Sequence, residues 1–247
     1  MEEEGRDSNV AATAAFHRVR FVLVAPGHPG NIGAAARAVK TMGFSRLALV
    51  APKKFPDRED DAMASGAHDI LASASRHPTL DEALAGARLS IAFTARRRDL
   101  ALPYLEAREA ADLLAAEARP GDVALVFGNE TFGLSNDEVL RCHRIAYIDA
   151  NPDYSSLNLA AAVQVMAYEV RKALRGGPES TALADAVSHE DAEHFYARLE
   201  RLLVARGHLD PTEPRRLMER LRALFGRARL TRTEVDLLHG VLEALEK

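Results

Sequence analysis

Four short segments of the sequence concentrate glycine, amide, hydroxyl and guanidinium groups, the groups that bind polar ligands and anions. In chain order they are PGHPGNIGAAARA, TARRR, FGNETFGLSNDE and NPDYSSLN. Each directly follows an apolar run typical of a buried β-strand. Ligands of open α/β sheets bind just beyond the carboxyl ends of the strands, so four such segments that converge on one edge predict a binding site.

The glycines of the first segment narrow the choice of ligand. Gly27, Gly30 and Gly33 are spaced as G-x-x-G-x-x-G. This spacing is neither the dinucleotide fingerprint nor a P-loop, since no Lys-Ser or Lys-Thr pair follows it. No carboxylate ends the second strand to bind a ribose, so a nicotinamide cofactor is disfavoured.

Metal and thiol chemistry are also disfavoured. His28, His68, His143 and His194 are scattered without ligand spacing, so no metal site is predicted. The single cysteine, Cys142, excludes a disulfide framework and favours a reducing, cytoplasmic compartment. Because adjacent side chains cannot face each other on a strand or helix, a structural role is favoured for Cys142 and His143 over a nucleophile–base pair.

The fourth segment leaves two roles open. Tyr154, Ser155, Ser156 and Asn158 precede one of the most apolar helical stretches of the chain. The ordinary role of a serine there is to cap the helix by accepting free backbone N–H groups. A helix N-terminus offers the same N–H groups to a ligand, so capping and binding are compatible.

Strand-like and helical runs alternate over the first two thirds of the chain, which predicts an α/β domain with a mainly parallel sheet. The predicted strands are Val19–Ala25, Leu47–Pro52, Leu89–Ala95, Asp122–Glu130 and Ile145–Ala150. The predicted helices are Asn31–Gly43, Thr79–Ala87, Ala107–Ala118 and the second half of Asn151–Val170.

The pattern changes after Leu174, where a Gly/Pro/Ser-rich stretch reads as a linker. Three amphipathic helices are expected beyond it: one over Glu190–Arg206, one starting at the cap sequence Asp210–Glu213, and one starting at Thr231–Glu234. The expected organisation is therefore a disordered lead-in over 1–17, an α/β domain over 18–175, a linker over 176–187 and a small all-α domain over 188–247.

The 247 residues carry a formal net charge of −4, so nucleic-acid binding would need a local basic patch. Such a cluster lies near the C-terminus, where one acid, Glu219, stands among the arginines 215, 216, 220, 222, 227, 229 and 232. A nucleic-acid surface and a solvated helix face are both open for it. The sequence has no apolar run of membrane-spanning length, and its acidic N-terminus lacks a signal core.

Three motifs carry a family resemblance. NIGAAARA, LVFGNETFGLSNDE and ANPDYSSLNLAAAVQVMAYE resemble, in order, the motifs of the SpoU branch of the SPOUT RNA ribose methyltransferases. The resemblance covers about residues 18–171, and the stretch RLMERLRALFGRARLTRTEVDLLHGVLEAL is most similar to the TrmJ-type tRNA enzymes. It implies an α/β fold with a C-terminal trefoil knot, S-adenosyl-L-methionine as cofactor, and a homodimer.

The implied reaction transfers a methyl group to a ribose 2′-hydroxyl of tRNA, at nucleotide 32 of the anticodon loop. The resemblance implies that Ser155, Ser156 and Leu157 hold the cofactor through backbone groups, and that Thr94, Ala95, Gly128 and Ile148 complete the pocket. Arg37 matches the arginine of the first motif. Since an arginine stays protonated, its expected role is to hold the target phosphate and stabilise alkoxide charge; the alternative is a surface ion pair.

Asn31, Glu130, Ser156 and Asn158 complete the expected catalytic set, as residues that orient the site; Asn31 could instead be only a helix cap. Phosphate contacts are expected from Arg96, Arg97 and Arg98 beside the pocket and from Arg220, Arg222 and Arg227 in the tail. tRNA is the expected partner, and DNA and membrane are not. The alternatives are a ribose methyltransferase for rRNA or another tRNA position, and a non-catalytic RNA-binding protein on the same fold.

Overall fold

The structure, a computed structural model, describes residues 14–96, 98, 100, 102–176 and 185–246. Arg97 and most of the expected lead-in and linker therefore lie outside the described residues. The lead-in is nevertheless shorter than predicted, because residues 14–16 form a helical turn that belongs to the folded domain. Ala15 is buried in the main core, and the ring of Phe16 packs on Phe44 with ring centroids 4.9 Å apart.

Strands and helices alternate as the sequence predicts. The strands are β1 (Val19–Val24), β2 (Arg46–Val50), β3 (Ser75–His77), β4 (Leu89–Phe93), β5 (Tyr104–Glu106), β6 (Val123–Phe127) and β7 (Arg144–Tyr147). The helices are α1 (Pro29–Thr41), α2 (Arg58–Ala64), α3 (His68–Ala72), α4 (Leu80–Leu84), α5 (Ala107–Ala118), α6 (Asn136–Leu140), α7 (Leu159–Gly176), α8 (His189–Ala205), α9 (Leu217–Ala228) and α10 (Arg232–Glu246).

The strands of the described chain form one sheet in the order β3-β2-β1-β6-β4-β7-β5, and every pairing is parallel. The predicted parallel α/β fold is confirmed. The four strands that precede the candidate segments, β1, β6, β4 and β7, are consecutive neighbours. Their carboxyl ends therefore bring all four segments to one stretch of the sheet edge. The trefoil knot implied by the resemblance stays a prediction.

Helices cover both faces of the sheet. On one face, the side chains of Phe21, Leu23 and Leu125 pack among the buried residues of α1, α5 and α7. Gly33 of α1 lies against α2 so closely that a Cβ on it would fall 2.1 Å from the carbonyl oxygen of Asp60. The opposite face, which carries Val22 and Val126, packs against α4 and α6.

The C-terminal helices have their own small core but also pack on the α/β domain. Phe195 of α8 and Val235 of α10 belong to that core, whereas Ala223 of α9 belongs to the second face of the sheet. The C-terminal helices are therefore docked on the α/β domain, and their division from it as a separate domain stays a prediction. Within the described residues, no helix combines the length and apolarity needed to cross a membrane.

One predicted helix start is wrong. Asp210 does not cap a helix: its carboxylate accepts hydrogen bonds from the amide and hydroxyl of Thr212, which closes a local turn instead. Arg215 and Arg216 then take positive φ angles, and α9 begins only at Leu217. The predicted start of the last helix is confirmed, because Thr231 and Glu234 exchange hydrogen bonds between side chain and backbone as a capping box, and α10 begins at Arg232.

Candidate active site

An open cavity lies at this edge of the sheet, lined by residues of the second, third and fourth segments, with about 810 Å³ of empty space that includes its open mouth. All seven residues predicted to hold a cofactor line it: Thr94, Ala95, Gly128, Ile148, Ser155, Ser156 and Leu157. Its remaining walls include apolar side chains of Phe93, Phe127 and Leu159. Polar and charged residues make up much of the rest, so the cavity combines apolar walls with hydrogen-bonding groups and suits a ligand that has both a flat apolar ring and polar or charged atoms.

Three predicted site residues from three motifs form one hydrogen-bonded chain. The Asn158 amide Nδ2 donates to Oδ1 of Asn31 at 2.9 Å, and Nδ2 of Asn31 donates to Oε1 of Glu130 at 2.7 Å. Asn31 is not the cap of α1, because His28 occupies the N-cap position and Pro29 starts the helix. The alternative role for Asn31 is therefore wrong, and its side chain links the first motif to the other two.

Glu130 fixes the first glycine loop as well. Its Oε2 accepts the amide of Gly27 at 2.9 Å, and its Oε1 accepts the amide of His28 at 3.3 Å. Partial burial raises the pKa of the Glu130 carboxyl, but the hydrogen bonds from Asn31, Gly27 and His28 outweigh it and lower the pKa overall. A carboxylate with a lowered pKa is a weak general base at neutral pH, so Glu130 organises the site as an ionised acceptor.

A pH-dependent stability difference follows from this lowered pKa. Ionised Glu130 stabilises the fold fully above the ordinary carboxyl pKa of 4.5, and this stability is lost as the pH falls through the lower folded-state value. We expect wild type to lose more unfolding free energy than Glu130→Gln between pH 7 and the acid range. Urea unfolding at both pH values measures this; Asp153→Asn, at an exposed loop position, is the control, and equal losses in Glu130→Gln and wild type would contradict the assignment.

The segment before α7 offers unpaired backbone donors. The cap of α7 is Asn158, whose Oδ1 accepts the amides of Ala160 at 2.9 Å and Ala161 at 3.4 Å. The amides of Ser155, Ser156 and Leu157 donate to no described residue, although all three residues line the cavity. Capping and binding are thus divided between neighbours: Asn158 caps, and the three residues before it leave their N–H groups for a ligand.

Glycine is required at position 128 because the protein's own backbone lies against it. A Cβ at this position would lie 2.1 Å from the carbonyl carbon of Gly133 and 2.2 Å from the amide nitrogen of Leu134. The space that the missing side chain leaves is therefore filled by the protein's own backbone. Gly128 lets the loop after β6 fold back on itself, and the loop in turn shapes one wall of the cavity.

Arg37 is not brought to the cavity of its own chain. It lies on the exposed side of α1, is absent from the cavity lining, and forms no hydrogen bond or ion pair with a described residue. The alternative of a surface ion pair thus has no partner in the described part of the chain. A free guanidinium on the helix that carries Asn31 remains available for a ligand or a second chain.

The predicted phosphate contacts beside the pocket separate into two kinds. Arg96 is exposed and lines the cavity. Arg98 is half-buried and is already used: its guanidinium donates to Oδ1 of Asn136 at 2.6 Å and to the carbonyl of Leu134. Arg98 therefore braces the loop after β6 while it also lines the cavity, and its phosphate contact stays a prediction.

The basic cluster of the tail is largely neutralised by acids far away in sequence. Arg222 makes a bidentate pair with Glu193 at 2.5 and 2.9 Å and lies over the ring of Tyr196, with only 18% of its side chain exposed. It fastens α9 to α8, and its predicted role in RNA binding is wrong. Other members also face acids: Arg216 pairs with Glu219, Arg229 with Glu117 and Arg232 with Asp191. Arg220 and Arg227 remain exposed.

Cys142 and His143 take the structural role. Burial raises the pKa of the Cys142 thiol to about 12 and lowers the pKa of His143 to about 3, so both are neutral. The ring of His143 accepts the backbone amide of Ser90 at 3.0 Å. Among the described residues no cluster of histidine, cysteine and carboxylate groups could hold a metal ion.

Asn129 is a site residue that the sequence interpretation missed. It lines the cavity, and its Oδ1 accepts the amides of Thr131 at 3.0 Å and Phe132 at 2.8 Å. The signal was present in the sequence, because Asn before a glycine-containing turn commonly forms such a local turn.

The chain matches the SpoU rRNA Methylase family over residues 18–168, and the C-terminal domain of the tRNA methyltransferase TrmJ over residues 190–247. It therefore belongs to the SpoU methyltransferase family and, within it, to the TrmJ group. The tRNA (cytidine/uridine/adenosine-2′-O-)-methyltransferase TrmJ of Pseudomonas aeruginosa (strain UCBPP-PA14) is 47% identical over 93% of this chain and 94% of that protein.

Solved structures agree with this assignment. The crystal structure of TrmJ from Z. mobilis ZM4 superposes with a TM-score of 0.82 at 33% identity, and covers 92% of this chain and 99% of that chain. A structure described as giving insights into the 2-OH methylation of C/U34 on tRNA has a TM-score of 0.53 at 29% identity. The match between the two covers 99% of the solved chain and 65% of the present chain.

Proposed function

We propose that this protein is an S-adenosylmethionine-dependent tRNA ribose 2′-O-methyltransferase that acts at nucleotide 32. The observation that carries the proposal is a cavity lined by the second and third motifs, to which the first motif is tied through the hydrogen bonds of Asn31 with Glu130 and Asn158. The match to TrmJ relatives over nearly the whole chain, including the tail, supports a tRNA substrate.

The cavity fits the cofactor. Ser155, Ser156 and Leu157, whose backbone amides have no described partner, line a space that is also walled by Phe93 and Ile148. The apolar walls suit a purine ring, and the free N–H groups suit the polar atoms of the nucleoside and amino-acid parts. When bound, the cofactor supplies an electrophilic sulfonium methyl group.

The chain's own residues would position the nucleophile. The chain Asn158–Asn31–Glu130 holds the first glycine loop against the last motif, which keeps the floor of the site rigid. The guanidinium of Arg37 binds the phosphate next to the target ribose and stabilises the negative charge that develops on the 2′-oxygen of that ribose. A phosphate oxygen or water accepts the hydroxyl proton, since neither Arg37 nor ionised Glu130 is a suitable base.

We further propose a cytoplasmic homodimer in which Arg37 of one chain completes the site of the other. The exposed, unpaired position of Arg37 away from its own cavity supports this arrangement. Tyr168 of α7 and Met63 of α2 add half-exposed apolar surface on the same side of the sheet. Light scattering at micromolar concentration tests the dimer, and a monomer would contradict it.

Mapping ribose methylation in tRNA from a strain lacking the gene tests the activity. Loss of the 2′-O-methyl group at nucleotide 32, restored by the wild-type gene, is the expected result. Loss at position 34 or in rRNA would identify the alternative substrates. Wild-type protein that binds tRNA without methylating it would favour the non-catalytic alternative.

The exposure of the arginines in the C-terminal helices predicts which of them contact RNA. Replacing Arg220 and Arg227, both exposed, with alanine should weaken binding to all tRNAs alike. Each lost phosphate contact should flatten the salt dependence, the slope of log K against log salt, by about 1. Filter binding across a salt series measures this, with Leu237→Ala on the exposed side of α10 as the control. An unchanged slope would mean that the two arginines are only solvated.

A further inference from the structure

Two aromatic rings at the mouth of the cavity are conspicuously exposed. Tyr154 is 80% exposed and Phe132 is 72% exposed, the highest values among the large hydrophobic residues of the described chain. Phe132 lines the cavity, and Tyr154 directly precedes Ser155, which also lines it. Burial of an aromatic ring stabilises a protein, and these two rings are left in water. Their exposure beside a cavity therefore suggests that they contact a ligand.

Both rings stand on turns held by asparagine side chains. Asn129 accepts the amides of Thr131 and Phe132, and it also pairs with Gly133 through N–H···O bonds of 2.9 and 3.3 Å. Asn151 holds the second turn, since its carbonyl accepts the amide of Tyr154 at 2.9 Å and its side chain accepts the amide of Asp153 at 3.0 Å. The rings are thus presented on ordered backbone with few free torsions, which lowers the entropy cost of binding.

The surroundings of the rings favour a nucleic-acid base over a protein. Each ring has a polar exposed neighbour in sequence, Thr131 beside Phe132 and Asp153 beside Tyr154, so neither ring is part of a run of apolar residues. An exposed cation, Arg96, lines the same cavity. Isolated aromatic faces next to a cation match unstacked bases joined by phosphates.

We propose that Phe132 and Tyr154 are base-stacking residues, which receive the unstacked bases at and next to the target nucleotide of an RNA loop. This inference rests on the proposed function. It adds a requirement that the motifs do not state: the substrate must present its target in a single-stranded segment, because a base inside a duplex has no free face for these rings.

The test is direct binding of an unmodified tRNA transcript, with methyl transfer measured separately. Phe132→Ala and Tyr154→Ala should each weaken tRNA binding about 10-fold, while Phe132→Trp and Tyr154→Phe stay near wild type. Phe132→Leu should behave like alanine, because leucine is apolar but has no π-face. Leu237→Ala, which removes an apolar side chain that is 65% exposed on α10, should change nothing.

Abasic RNA makes the test specific. If Phe132 stacks on a given base, an abasic RNA and the Phe132→Ala variant remove the same contact. The two changes combined should then lower the tRNA binding free energy no more than either change alone. Additive losses at every loop position would overturn the proposal, as would a fall in cofactor affinity by calorimetry or a shift to monomer in the variants. Wild type that binds but does not methylate tRNA overturns only the proposed activity, and wild type that binds no tRNA overturns both.

Discussion

Replacing Arg37 with alanine is expected to lower methyl transfer about 10²–10³-fold, the usual cost of removing one group that stabilises transition-state charge. Cofactor affinity should stay near wild type, because Arg37 does not line the cavity. The fold should also be unaffected, since the side chain is exposed and bonds to no described residue. Calorimetry with the cofactor and single-turnover methylation of tRNA measure the two quantities; a parallel loss of both would show that the assignment is wrong.

The same variant tests whether the site is shared between chains. Ala95→Trp should fill the cavity of its own chain and abolish cofactor binding, because Ala95 lines that cavity from an exposed loop. If Arg37 acts in the partner's site, each Arg37→Ala/Ala95→Trp heterodimer has one intact site. Random pairing of the two inactive chains should then restore about a quarter of wild-type activity. No recovery in dimers shown to be mixed would place Arg37 in its own chain's site.

The meeting of the candidate segments at one edge of the sheet could be predicted, because it depends on patterns within short stretches of sequence. Each candidate segment follows a short apolar strand, and parallel strands end on one edge. The strand order could not be predicted, because β6 inserts between β1 and β4 although it comes after β4 in sequence. That insertion sets Glu130 beside Gly27 across about a hundred residues of chain, and no local pattern carries such a pairing.

The arginines of the C-terminal helices show that a charge pattern along the sequence does not reveal ion pairs with residues distant in sequence. Near Arg222 and Arg229 the sequence shows few acids, yet Glu193 and Glu117 reach them through space. Arg98 is likewise held by residues distant in sequence, Leu134 in the loop after β6 and Asn136 at the start of α6. A run of like charges predicts a binding surface only where tertiary contacts leave those charges free, as they do at Arg220 and Arg227.

Short polar elements were missed because their sequences carry no period. The edge strand β3, with the residues Ser75, Arg76 and His77, has none of the β-branched or aromatic residues that mark a strand. It forms because β2 offers it a parallel edge, with Ser75 opposite Ala48 and His77 opposite Val50. Tertiary pairing, which the sequence alone does not display, decides such elements.

Replacing Arg229 with alanine should destabilise the protein more than any change at an exposed arginine. Its guanidinium pairs with Glu117, whose side chain is 0% exposed and whose other oxygen lies 3.6 Å from Nη2 of Arg88. Breaking one arm of this buried pair leaves the Glu117 charge with Arg88 alone. We expect a loss of about 3 kcal/mol in the free energy of unfolding, since an under-compensated buried charge costs several kcal/mol.

The size of that loss measures how firmly the tail is docked. Arg229 belongs to the tail and Glu117 to the end of α5, so the pair joins the two parts of the chain. Urea unfolding should show the loss in Arg229→Ala and almost none in Arg227→Ala, its exposed neighbour. Replacing Arg229, Glu117 and Arg88 together with leucine should recover much of the stability, because a buried apolar cluster needs no compensating charge. An Arg229→Ala variant as stable as wild type would mean that the ion pair does not hold the tail in place.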